Sequence, residues 1–73
     1  MKTYLTIWFN SEGATPLEVV DRLRSLGFKA LRGYHDHVYD WKRKIELEEV
    51  LKLANTIHET LRDLKVICKL ETE

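Results

Sequence analysis

Large apolar residues alternate along "TYLTIWFN", residues 3–10, with Leu5, Ile7 and Phe9 on one face and Tyr4, Thr6 and Trp8 on the other. β-Branched and aromatic residues at period two predict a strand, and bulky groups on both faces imply a central strand covered on each side. "SEGA", 11–14, reads as a loop. In "TPLE" Thr15 suits an N-cap, Pro16 the first helical position and Glu18 a capping box. Leu17, Val20, Leu23 and Leu26 form the expected buried stripe, with Glu18 and Arg22 paired on the solvent side. "LGF" ends the helix, with Gly27 in a left-handed conformation and Phe28 folded back onto the core. "FKALR", 28–32, and "HVYDWKR", 37–43, read as two further strands. From Ile45 to Leu64 the helical period returns, with Leu47, Val50, Leu51, Ala54, Ile57, Leu61 and Leu64 as its stripe and Glu48–Lys52 as an outer pair. "KVICKLE", 65–71, alternates Val66, Cys68 and Leu70 against Ile67, Lys69 and Glu71 and closes the chain as a strand.

The order β-α-β-β-α-β, with right-handed crossovers, folds into an antiparallel four-stranded sheet with both helices on one face. Over its whole length the chain therefore resembles the ferredoxin-like fold, an α+β sandwich of residues 1–73 as one domain. That fold hosts many functions, so it implies little about activity. The CxxC of metal chaperones, the glycine- and lysine-bearing strand of RNA-recognition domains and an arginine cradle in the first loop are all missing. "NSEGATPLEVVDRLRSLGF" is similar to the start of ACT-type ligand-sensing domains, with Gly13, Leu17, Val20, Leu23 and Gly27 in comparable places. It lacks their Asp/Asn-x-Pro-Gly opening. That resemblance implies a small-ligand site near Gly13.

Composition narrows the picture. A chain of 73 residues has a thin core, burying about 60% of its unfolded surface, and oligomerisation would add to it. Twelve basic and twelve acidic residues cancel. The basic excess of most nucleic-acid binders is absent, and little charge opposes self-association. One cysteine rules out an internal disulfide or a cysteine cluster. "MKTYLTIWFN" has too short an apolar run for a signal peptide, and no segment approaches a membrane span, so a soluble cytoplasmic protein is expected. The absence of glutamine and the 33% charged residues lean towards a thermophilic source.

The densest chemistry lies in "GYHDHVYDW", 33–41. On one continuous strand His35 and His37 share a face about 7 Å apart, compatible with a metal that would still need further ligands. The favoured reading is a hairpin end, where Asp36 satisfies backbone groups, with no cofactor. Facing Tyr39 and Trp41 inward leaves Asp40 outside, and the opposite register would bury that carboxylate at high cost. In either register Tyr4 and Trp8 stay on the open face with Ile67, joined by Val38 in the favoured one, the kind of apolar patch that marks a contact surface. Homo-oligomer packing is the leading reading of that patch. A nucleic-acid platform built on Tyr4, Trp8, Arg32 and Lys42–Lys44 is the alternative, and a metal-dependent enzyme on the histidines ranks last. Ser11, His58 and Cys68 have no recognised catalytic spacing, and Cys68 is expected to be buried. The candidate binding residues are Tyr4, Trp8, Gly13, His35, Asp36 and His37.

Overall fold

The computed structural model describes residues 1–32 and 36–73. Its elements are β1 (Lys2–Trp8), α1 (Pro16–Ser25), β2 (Lys29–Ala30), β3 (His37–Asp40), α2 (Leu47–Leu61) and β4 (Ile67–Thr72), with a 3₁₀ turn at Arg62–Leu64 before β4. The sheet order is β2-β3-β1-β4, antiparallel throughout. This is the ferredoxin-like arrangement that the element order implies.

β1 is central. Thr3, Leu5 and Ile7 are buried on one of its faces, beneath Val19 and Leu23 of α1, Ile57 and Leu61 of α2, and Phe28 and Leu64. Both helices thus cover the same side. Phe9, expected in this row, lies beyond the strand end and is exposed, and Thr3 takes the third inward place.

Local chemistry sets the helix ends. Thr15 Oγ1 accepts from Glu18 N at 3.3 Å, and Pro16 follows in the first turn. At the other end Gly27 has φ +102°, Gly27 N donates to Arg24 O and Phe28 N to Leu23 O, the paired bonds of a Schellman stop. A Cβ on Gly27 would also stand 3.0 Å from Tyr39 Cε2. α2 begins at Leu47, two residues later than Ile45, because Glu46 and Glu49 form a reciprocal capping box. It stops at Leu61, where the chain tightens into the 3₁₀ turn and Lys65 takes φ 56°. β4 consequently starts at Ile67 rather than Lys65.

Two helical faces differ from expectation. On α1 the inward row is Val19, Leu23 and Leu26, while Leu17 is exposed and Val20 half-buried. Successive helical residues turn by about 100°, so Leu17 lies almost opposite Val19. Leu47 and Leu51 of α2 are likewise exposed, and Leu53 packs inward in their stead. Arg22 turns away from Glu18 to staple the helices together, donating to Thr60 O at 3.0 Å and Asp63 Oδ1 at 3.1 Å.

Candidate interaction surface

Strand alternation puts Tyr4, Thr6 and Trp8 on the face away from the helices. Trp8 stands directly opposite Ile67, Thr6 opposite Lys69, and Tyr4 between Glu71 and Val38. Trp8 is 53% and Ile67 71% exposed, while Tyr4 and Val38 are half-buried. An indole beside an isoleucine, held in register by the β1–β4 ladder, makes an apolar centre on a solvent-facing sheet. Lys69 and Glu71 at its border form an ion pair at 2.9 Å.

β3 turns its other side inward. Tyr39 packs on Phe28 with ring centroids 5.4 Å apart, and Trp41 packs edge-on against Tyr39 at 4.9 Å. Trp41 Nε1 donates to Thr3 Oγ1 at 2.8 Å, and Thr3 Oγ1 shares a hydrogen bond with Thr72 Oγ1 at 2.9 Å. A polar thread therefore crosses from β3 through β1 to β4 beneath the helices. Sequence periodicity marks Thr3 only as small and polar, so this role is visible in the structure alone.

Asp36 serves backbone, as a hairpin end requires, but the backbone is that of β1. Its N–H donates to Leu5 O at 2.9 Å, its carbonyl accepts from Leu31 N at 2.7 Å, and Oδ2 accepts from Ile7 N at 2.7 Å. Leu5 is already opposite His37, so Asp36 and His37, at the start of β3, meet one residue of β1, the signature of a bulge. The carboxylate then takes the place of the next ladder carbonyl. His37 is buried, and neither ring nitrogen meets a hydrogen-bond partner among the described residues. His35, with Gly33 and Tyr34, lies outside the described residues, and so does the expected pairing of the two imidazoles. Among the described residues no three His, Cys, Asp or Glu side chains gather as a metal site.

Burial pushes the His37 pKa below its ordinary value, with Asp36 opposing and Arg24 reinforcing the change. The unfolded chain thus binds a proton at a higher pH than the folded one does. Stability from this group is complete above pH 6.5 and falls as the pH drops from there towards the folded-state pKa. Denaturant titrations at pH 7.5 and 5.5 should show that loss in the native sequence and a smaller one in His37→Leu. An equal loss in both would remove His37 as its source.

Gly13 is a packing position. A Cβ there would run into Leu64 O and stand 3.1 Å from Lys65 Cβ, while Ala14 N donates to Leu64 O. Open space lies elsewhere. A cleft of about 320 Å³ is lined by Tyr39, Trp41, Glu49, Lys52, Leu53 and Thr56, and another of about 230 Å³ sits on the far side of Tyr39, by Gly27, Lys29 and Lys42. Sequence periodicity marks neither, because the first lies between the β3 end and α2 and the second beside the two-residue β2.

No family model, curated protein or solved structure matches the chain. The similarity to ACT-type domains thus gains no family match, and function has to be read from the surface itself. Within the basic run, Arg43 Nη1 binds Glu49 Oε2 at 3.2 Å and holds that carboxyl below the usual carboxylate range. Lys42 N donates to Asp40 Oδ1, turning the chain away from β3. Arg32 lies exposed past the end of β2. Cys68, expected inside, is exposed on β4, which is an edge strand with no neighbour beyond it among the described residues. Partial desolvation still raises its thiol pKa, which leaves it a poor nucleophile at neutral pH. No helix among the described residues is long and apolar enough to cross a membrane.

Proposed function

We propose that this chain is a non-enzymatic interaction module that assembles with copies of itself through its β-sheet. The observation that carries the reading is the Trp8–Ile67 pair, two large apolar side chains directly opposite each other and mostly exposed on the helix-free face. Such a patch marks a contact surface. Balanced charge favours a like partner over a polyanion, because twelve cations face twelve anions. Arg43, engaged by Glu49, further weakens the basic run as a phosphate-binding element.

Light scattering at increasing protein concentration should give a mass above that of the monomer. Trp8→Glu, which places a charge at the centre of the patch, should lower that mass while leaving circular dichroism unchanged. A chain that stays monomeric at millimolar concentration overturns the proposal. A ligand-sensing form of the same module would have its room in the cleft between Trp41 and α2, where an aromatic wall faces Lys52 and Thr56.

A further inference from the structure

We infer that two copies pair through their β4 edges, antiparallel and in one register, with Leu70 on the two-fold axis. The inference rests on the self-association proposed above and names a contact for it that does not involve Trp8. β4 is a six-residue edge strand, whereas the opposite edge, β2, has two residues. A long uncovered edge is a template for another strand.

Hydrogen-bond parity identifies what β4 offers. Lys2 and Glu73 exchange both backbone bonds at 2.9 Å, so Glu73 points its N–H and C=O towards β1. Antiparallel ladders alternate, so Glu71 and Lys69 do the same. Cys68, Leu70 and Thr72 therefore direct their N–H and C=O groups out from the sheet. An added strand must bond to those residues.

Two registers of an antiparallel self-pair satisfy that parity while keeping most of the Ile67–Thr72 strand overlapped. With the axis at Lys69, that ammonium faces its own copy. With the axis at Leu70, Lys69 faces Glu71 of the second copy at both ends, and Cys68 faces Thr72. Directly opposed like charges destabilise a strand pair and opposite charges stabilise it. The pattern Lys69–Leu70–Glu71 thus selects the second register. Lys69 and Glu71, already paired at 2.9 Å within one chain and 61% and 41% exposed, need only re-aim across the new edge. The axis runs perpendicular to the sheet, so both Trp8–Ile67 patches lie on the same side of a joint eight-stranded sheet and stay free for face contacts.

The test uses the full chain carrying Trp8→Glu, which removes the face contact. Sedimentation velocity should still show a dimer. Lys69→Glu alone and Glu71→Lys alone should each weaken it about tenfold or more, and the two together should restore it. In a second arm, Thr72→Cys under a mild oxidant should give a covalent dimer through Cys68 of the other copy. Residues 68 and 72 of one strand are about 13 Å apart, too far for an internal bridge. The native chain, with Cys68 alone, should not cross-link.

A dimer indifferent to charge reversal, a Thr72→Cys chain that fails to cross-link while dimeric, or a native chain that cross-links through Cys68 would each overturn the register. Loss of all association in Trp8→Glu, with the native chain oligomeric, would overturn the edge contact and leave the face contact standing. A monomeric native chain would remove both.

Discussion

Gly13→Ala is expected to destabilise the domain by about 2–3 kcal/mol, the upper part of the range for overpacking. The added methyl would meet the carbonyl oxygen of Leu64 and crowd Lys65, and both are backbone or backbone-proximal atoms that cannot swing aside. Relief would require the β1–α1 loop to move off the 3₁₀ turn, breaking the Ala14 N to Leu64 O bond at 3.1 Å. Because that turn launches β4, the shift would reach the edge strand as well. A urea titration measures the loss directly. A native-like midpoint would show that the loop is looser than the packing implies.

Phe28→Ala should be more severe, at about 3–5 kcal/mol. Among the described residues Phe28 is the largest fully buried side chain, and it joins Leu23 of α1 to the Tyr39 ring. A domain of 73 residues has roughly 4–11 kcal/mol of stability in all, at about 0.05–0.15 kcal/mol per residue. The variant is therefore expected to be largely unfolded or molten at 37 °C. Near-ultraviolet circular dichroism, sensitive to the Tyr39–Trp41 environment, should collapse before the far-ultraviolet signal does. A cooperative unfolding transition within a few degrees of the native one would contradict the assigned role.

Elements whose signals are local were legible in the sequence. Thr15, Pro16, Gly27 and Phe28 behave as their types dictate, because caps and stops depend on neighbours within a few residues. Period two in β1 was readable for the same reason, and it placed Tyr4 and Trp8 on the open face. Helical phase was less legible. Leu17, Leu47 and Leu51 fit an apolar stripe by spacing, but their exposure depends on how far each helix overhangs the sheet. The edge position of β4 follows from strand order, yet its effect on Cys68 does not follow from alternation alone.

Long-range polar partners were the least legible. Trp41 to Thr3 to Thr72, and the Asp36 carboxylate on Ile7 N, join residues 29 to 69 positions apart. Nothing in the local pattern around "GYHDHVYDW" reports those partners. The stretch looked like a set of ligands because its two described polar anchors, Asp36 and Trp41, act on β1 far away in the chain.

Self-association through the sheet, as proposed, is tested most directly by sedimentation equilibrium of the native chain over a wide concentration series. The weight-average mass should rise with concentration above the 8.7 kDa monomer. A mass fixed at the monomer value throughout the series would contradict it.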